Sequence, residues 1–541
     1  MLEIKNPYSR KRLTFKQRFY KKFTESIVPY IKKIPIQKDL IVKQKYIPKF
    51  LQQARISVES WERFAWSTKR PDNIDIDLLS LHVAEYIPIE NIDELNKGLK
   101  KLFKKYPFKY HFFGQIKQVT EYVDEFCNEV KQSIHGGRWS NFGYLDFSKE
   151  KNLSDLIKQV HIHGTHISSS LIILQFIITP STSFIKEYKK VMDSDVKGGK
   201  VFTPTFKNFF TFWDSKGVSE SNYKEQKLED LILELKWRTM NEISKYFDLY
   251  LTKQKLIPPS IEVYKLNQSS CMFNEEDEKR NLFWESIGMQ RFQCEISKDG
   301  YWQLFSNKGN HLIDSSLKIT CNSKVKKRPG YESLDIQIVY SVGQFSKGLL
   351  PILVIREYVV DLSKNIAARQ KNTFSSIKKE KPKYKKLINI RYELEQNLHI
   401  LKRFKYEIDE NYFENVKDGI IRLSEFEPVR PKLDNEVWVE RIVDNTDYMI
   451  DKTYNHSENF AKIIDDTVRL LEIKTNNSLR RMTFFLTIIT VILSVVATTI
   501  AGTSLYLQLD EKDRQLLNEV FKSIEIFLFK IFTLVKLIFY F

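Results

Sequence analysis

The chain is short of the residues that most enzyme classes need. It has only four cysteines in 541 residues, Cys127, Cys271, Cys294 and Cys321, all far apart. No CxxC pair is formed, which excludes thiolate zinc knuckles and dithiol redox motifs, and the usage suits a reducing compartment. There is no Walker A loop, GxGxxG, HExxH or nucleophile elbow, so neither a nucleotide hydrolase nor a common metallohydrolase is expected, and the chain is read as a non-enzyme. The first residues, MLEIKNPYSRKRLTFKQRFYKKF, carry charge without an apolar run, so no secretory signal is expected there. Two further absences are local. From Lys432 to Ala501 there is neither glycine nor proline, and from Met482 to Leu507 there is no charged side chain.

What is present is an excess of positive charge. Lys and Arg number 86 against 68 Asp and Glu, a formal net charge of +18. Residues 1–50 hold 14 Lys/Arg against 3 Asp/Glu. Such an arm either lies on anionic headgroups or is solvated, and a nucleic-acid contact is the sharper alternative, although no nucleic acid is required. A second basic run spans Lys364, Arg369, Lys371, Lys378, Lys379, Lys381, Lys383, Lys385 and Lys386, contains Pro382, and reads as a linker. No repeat of 20–50 residues is visible.

The fold class expected is an α+β cytosolic body, a long stalk helix and two C-terminal transmembrane helices. Residues 1–150 read as a basic, mainly helical part, with helical spacing at Trp61–Trp66 and Ile92–Phe103. Residues 151–385 read as an α/β domain. Leu171–Ile178 is a buried strand, Leu228–Tyr250 an amphipathic helix, and Phe292–Glu295 with Tyr301–Phe305 a hairpin around Lys298-Asp299-Gly300. Leu317–Cys321 and Leu334–Val342 alternate like half-buried strands, and Gly348–Leu362 suits either a helix or a core strand. Residues 386–481 form the helical stalk. A 70-residue helix from Lys432 would reach roughly 105 Å, and Pro431 with Asp434 and Glu436 supplies a helix start.

Residues 482–507 are long enough to span a bilayer, for which about 20 apolar residues suffice. Arg480 and Arg481 precede the segment, and the loop 508–525 is net acidic. That balance places the N-terminal side in the cytosol and the loop outside, in the plasma membrane of the cell (the inner membrane where there are two). Residues 526–541 are apolar and aromatic but carry Lys530 and Lys536; a return crossing is the favoured reading. Within the first span Thr483, Thr487, Thr490, Ser494 and Thr498 fall within about an 80° wedge of a helix. Either their hydroxyls back-bond in a helix–helix seam, or they line an ion path; in both cases that face is turned away from lipid. Upstream, Asp444, Asp451, Glu458, Asp465 and Glu472 recur every seven residues beside Ile442/Val443, Met449/Ile450, Ile463/Ile464 and Leu470/Leu471. They form a solvated acidic face beside a coiled seam or carboxylate rings that concentrate cations.

In the body, His161, His163 and His166 form the one histidine cluster, H-I-H-G-T-H. On a strand His161 and His163 share a face, and Gly164 is positioned to let His166 fold back. With Ser168, Ser169 and Ser170 they are either ordinary polar residues or a ligand site; three imidazoles also suit a metal, though no acidic or cysteine partner is close in sequence.

The run Asn476-Asn477-Ser478-Leu479-Arg480-Arg481-Met482-Thr483, continued by Leu486-Thr487-Ile488-Ile489-Thr490 and Ile500-Ala501-Gly502, resembles the stalk-to-pore helix of CorA-type divalent-cation transporters. The layout of body, long helix and two C-terminal spans is similar too. The resemblance covers about residues 432–541. It implies a homopentamer in the bilayer whose first membrane helices line the pore, with a divalent cation such as magnesium as cargo. Two departures stand out. Thr503-Ser504-Leu505 follows Gly502 where the family carries Gly-Met-Asn, and no basic tail follows the second span before Phe541. The large body is similar in layout to divergent CorA-like effectors of type III CRISPR systems, which implies control by an anionic nucleotide messenger such as SAM-AMP in antiviral defence. The expected function is thus a ligand-gated cation channel or transporter, the alternative a membrane-anchored sensor that does not conduct.

Overall fold

The structure is a computed structural model. It describes residues 69–70, 74–107, 119–133, 138–150, 152–168, 171–195, 199–202, 215–218, 220–267, 292–307, 316–378, 384–407, 426–428 and 438–508, with short helical pieces between 518 and 533. The N-terminal basic arm, Trp61–Trp66 and most of 526–541 lie outside these residues. The chain divides into two compact units: Met1–Lys371 with Leu394–Glu458, and Asn372–Glu393 with Asn459–Phe541.

The first unit is built on one mixed sheet of nine strands. In chain order the strands are β1 (Ile76–Pro88), β2 (Arg138–Asp146), β3 (Ile157–Ser168), β4 (Leu171–Pro180), β7 (Ser260–Leu266), β8 (Phe292–Ser297), β9 (Trp302–Asn307), β10 (Ser316–Asn322) and β11 (Phe426–Pro428). Their spatial order is β11-β8-β9-β10-β7-β1-β4-β3-β2, while β5 (Gly199–Phe202) and β6 (Ser215–Val218) pair separately. All neighbours are antiparallel except β10 on β7. The expected boundary at residue 150 runs through this sheet. β1 is an inner strand, buried along most of its length, and β2 is its edge, so the described residues up to 150 belong to the sheet and are not a separate helical part. Leu171–Ile178 and Leu317–Cys321 are strands as expected. Phe292–Ser297 and Trp302–Asn307 form the expected hairpin, with Gly300 at φ +73° in its turn.

One face of the sheet carries Leu81, Val83, Ile162, Leu174 and Phe176. It is covered by α1 (Ile92–Lys105), α2 (Val119–Gln132), α3 (Thr182–Asp193) and α4 (Glu220–Ile243), whose Leu99, Phe126, Phe184 and Leu235 join the same core; α5 (Tyr250–Lys253) follows. The packing leaves no slack at Gly98, where a Cβ would stand 2.4 Å from Tyr246 O. The opposite face meets α6 (Leu334–Lys378). Ser346 of α6 contacts His82 of β1 and Gln175 of β4, and a Cβ on Gly343 would lie 3.5 Å from Ile177. Here the sequence expectation fails twice. Leu334–Val342 is helix, not strand: Ile338 and Val342 are buried while Ile336 and Tyr340 are exposed, which is helical spacing. The basic run 364–386, read as a linker, is helix at both ends, 364–378 closing α6 and 384–386 opening α7 (Tyr384–Glu407). Gly348–Leu362 takes its helical alternative, with Pro351 inside the helix.

The stalk is helical but not throughout, because Phe426–Pro428 returns to the sheet as β11. α8 (Trp438–Gln508) is a single helix of 71 residues. In its first part Val443, Thr446, Ile450, Thr453, Ser457, Phe460 and Ile464 are buried at alternating steps of three and four, a coiled-coil pattern. On α7, Leu387, Leu394 and Leu401 are buried at seven-residue steps. Two helices are long and apolar enough to cross a membrane. Over their most apolar windows, Leu334–Ile377 has a mean hydropathy of 1.5 and is 67% buried, whereas Arg441–Ser504 has 2.4 and is 0% buried.

Candidate functional sites

The hydroxyl stripe lies in the second unit on α8. Large apolar side chains of Met482–Leu493 are turned to solvent, for example Phe485, Ile489 and Ile492 at 53%, 51% and 55% exposure. Thr483, Thr487, Thr490 and Thr498 each donate to the carbonyl four residues back, at 2.7–2.9 Å. Thr499, off the stripe, does the same to Val495. This bond satisfies the hydroxyl hydrogen inside the helix and leaves each oxygen lone pair pointing outward. Ser494 makes no such bond among the described residues. At the end of the stripe a Cβ on Gly502 would stand 2.8 Å from Phe521 Cζ. Helical residues 518–523 therefore return against α8 at the one position where it has no side chain.

The acidic heptad does not stand alone. Within the first unit Asp451 pairs with Lys405 at 2.7 Å. Within the second, Asp465 accepts from Arg391 Nε at 2.9 Å and Glu472 from the Tyr384 hydroxyl at 3.0 Å. In each case the partner is on α7, and moving up α8 means moving down α7, so the two helices pair antiparallel. Asp444 and Glu458 also have polar partners. Asp451, Asp465 and Glu472 thus face an adjoining helix of the same chain.

The histidine cluster lies in the first unit, on the sheet face under α6. His161 and His163 share that face as expected. His166 does not: β3 continues as strand through Gly164, and period two sends His166 to the opposite face, fully buried. Gly164 serves packing instead of a turn, since a Cβ there would stand 2.7 Å from Phe142. Ser169 and Ser170, and the side chain of Ser168, lie outside the described residues. His163 Nε2 stands 3.0 and 3.1 Å from the two ring nitrogens of His161, edge-on. His161 stacks on Tyr144 at 3.9 Å, and its Nε2 is 2.6 Å from Asn141 Oδ1. His82 of β1 holds Ser80 and Ser346 with its two nitrogens at 3.0 and 3.2 Å.

Three residues that the sequence did not single out complete this cluster. Trp139 of β2 meets the His163 ring edge-on at 5.0 Å, and Lys347 of α6 sets its ammonium 3.4 Å above the Trp139 ring. Gln344 accepts from Lys347 Nζ at 2.8 Å. No short-range pattern joins residues 139, 163 and 347; only sheet pairing and helix packing do. The electrostatics are those of a crowded basic patch under cover. Burial, reinforced by Lys347, pushes His163 down to about 3; burial, then the charge of His163, pushes His82 down to about 3; and burial pushes Lys347 down to about 8. His161 is lowered well below its ordinary value, chiefly by burial. The imidazoles are therefore neutral at pH 7. No group of three or more His, Cys, Asp or Glu side chains among the described residues could hold a metal ion.

A separate buried network occupies the other face. Lys318 lies 3.7 Å from Glu262, which accepts from the Tyr264 hydroxyl, itself 2.7 Å from that of Tyr188. Glu85 accepts the Leu251 and Thr252 amides at 3.0 and 2.9 Å, starting α5, and burial still pushes it up to about 7. Compared with protein-family models, with curated proteins and with solved structures, the chain matches none.

Proposed function

We propose that the chain is the subunit of a homo-oligomeric cation channel or transporter of CorA-like layout, carried in the plasma membrane and controlled by an anionic ligand on its soluble unit. The observation that carries this reading is the surface of α8. Its most apolar window is 0% buried and bears a hydroxyl stripe along one side. A surface of that kind is unstable in water, and lipid covers only its apolar sides well. Around a central axis the stripes of several copies would form rings of hydroxyl oxygens. Such rings coordinate a hydrated cation without a fixed charge and select weakly. With Asp451, Asp465 and Glu472 engaged by α7, selection by sign rests on few groups, and the divalent preference implied by the family resemblance stands on the resemblance alone.

The test is cation flux in proteoliposomes. Ser494→Leu places a branched apolar side chain on the stripe and abolishes flux, whereas Val496→Leu, nearly opposite on the helix, leaves it unchanged. Equal flux from Ser494→Leu and the unmodified protein refutes the pore. One observation favours the rival reading, a membrane-anchored sensor that does not conduct. The threonines already back-bond within their own helix, as they would in a seam. An assembly without a continuous central path would decide for it.

A further inference from the structure

Along the seam between α7 and α8 cations are matched to carboxylates, and the matching stops at Glu472. Before it, Lys405 pairs with Asp451 and Arg391 with Asp465. At Glu472 the partner is Tyr384, the first residue of α7, at 3.0 Å. Beyond that level neither helix offers an acid. α7 opens Tyr384-Lys385-Lys386-Leu387-Ile388-Asn389-Ile390, and α8 carries no Asp or Glu from Ile473 to its end at Gln508. The cations continue without them: Lys385 and Lys386 on α7, and Lys474, Arg480 and Arg481 on α8. All of these side chains are exposed, and among the described residues none pairs with a carboxylate. All belong to the second unit, as does the uncharged run of α8.

Their height on α8 says what they meet. Glu472 stands ten residues before Met482, where the uncharged run begins, which is about 15 Å along the helix axis. The bond from Tyr384 puts the start of α7 at that same height. A bilayer has a hydrocarbon core about 30 Å thick and measures about 40–45 Å with its headgroups, so each headgroup layer adds roughly 5–8 Å. With Met482 at the edge of the core, Arg480 and Arg481 lie inside that layer. The first turn of α7 lies within about 10 Å of its outer face, about one Debye length at 0.1 M salt. The flexible four-carbon stem of lysine narrows the gap further. A patch of unpaired cations continuous with an apolar surface that needs lipid is matched by the phosphates of the same lipid.

We propose that Lys385, Lys386, Lys474, Arg480 and Arg481 bind the headgroups of anionic phospholipids in the leaflet that α8 enters at Met482. The proposal rests on α8 crossing the bilayer and goes beyond it by bringing a second helix to the membrane surface. On an anionic surface the first turn of α7 is held by lipid as well as by Glu472. On a neutral surface the Tyr384–Glu472 bond holds it without that help.

The experiment places the full chain in nanodiscs of phosphatidylcholine, with or without phosphatidylglycerol, and reads amine acetylation by mass spectrometry. Phosphatidylglycerol slows acetylation of Lys385 and Lys386 at least threefold at about 0.15 M salt, and the protection disappears at about 1 M. Lys402, exposed and seventeen residues further along α7, reacts at one rate throughout. Free glycerol phosphate added to phosphatidylcholine nanodiscs gives no protection, which sets a lipid surface apart from a soluble phosphate. Native mass spectrometry supplies a second measure: the chain with Lys385→Gln and Lys386→Gln retains fewer phosphatidylglycerol molecules than the unmodified chain. Equal acetylation rates in the two nanodiscs, equal protection by glycerol phosphate, equal slowing at Lys402 or equal lipid retention by the double variant overturns the contact. A chain that does not enter nanodiscs refutes the span and this contact with it. A chain that enters and shows equal rates refutes the contact and leaves the span standing.

Discussion

Lowering the pH from 8 to 5 sets two buried groups of opposite sign against each other, and their balance follows from the structure. His82 and His163 are neutral in the fold, with pKa values pushed down to about 3 from an ordinary 6.5. A base whose folded pKa is depressed loses stability as pH falls, because the unfolded chain takes up the proton first. At pH 5 the unfolded form of each gains roughly 2 kcal/mol, so the pair costs about 4 kcal/mol relative to pH 8. His161 acts in the same direction. Glu85 is the reverse: its carboxyl is pushed up to about 7 by burial, against the hydrogen bonds from Thr252 and Leu251. Its stabilising contribution is full below its unfolded pKa of 4.5 and is lost as pH rises through 7, so at pH 5 it returns about 2.5 kcal/mol. The expected net change is a loss of roughly 1–2 kcal/mol at pH 5. Glu85→Gln removes the compensation, and the loss grows to about 4 kcal/mol. His163→Asn removes about 2 kcal/mol of the histidine loss, so the net change at pH 5 falls to about zero. Circular-dichroism melts of the full chain in detergent at pH 5, 6, 7 and 8 read all three slopes. A melting temperature that follows the same pH curve in the unmodified protein and in Glu85→Gln refutes the assignment.

Gly502→Leu collides with Phe521 and drives the returning helix off α8, which shows as faster proteolysis of the segment after α8 in detergent, and Phe521→Ala in the same chain restores protection. Charge reversal by Arg391→Glu costs only a few tenths to 1 kcal/mol, because the pair with Asp465 is largely exposed, and Asp465→Arg in the same chain recovers it in denaturant melts. Gly98→Ala forces a methyl group into the Tyr246 carbonyl and destabilises the first unit by about 1–3 kcal/mol or more in the same melts. In a cysteine-free background, Thr503→Cys reacts with an impermeant thiol reagent applied from outside intact cells; reaction only after lysis reverses the orientation.

The sequence spoke clearly where one physical constraint acts alone. A run without glycine, proline or, later, charge becomes one helix, and LIILQFII becomes a strand buried on both faces. It misled where two periods fit the same letters. Leu334, Ile336, Ile338, Tyr340 and Val342 alternate, yet only Ile338 and Val342 are buried, because the choice between periods was made by the sheet underneath. β1 was hidden for a related reason: an inner strand covered on both sides need not alternate at all. The histidines were visible as a cluster, but their chemistry was set by Trp139 and Lys347, which lie far off in sequence. The acidic heptad was visible too, while its partners Lys405, Arg391 and Tyr384 emerged only once α7 and α8 ran side by side.

β11 is three residues long, ends in Pro428 and holds the edge of the sheet through Phe426, Glu427 and Pro428 opposite Ser297, Ile296 and Glu295. It lies ten residues before the first residue of the 71-residue helix. Pro428 has no amide hydrogen to donate, and a three-residue strand offers little ladder to extend. β11 thus works as a stopper on that edge, making the sheet a poor template for a strand from a second molecule.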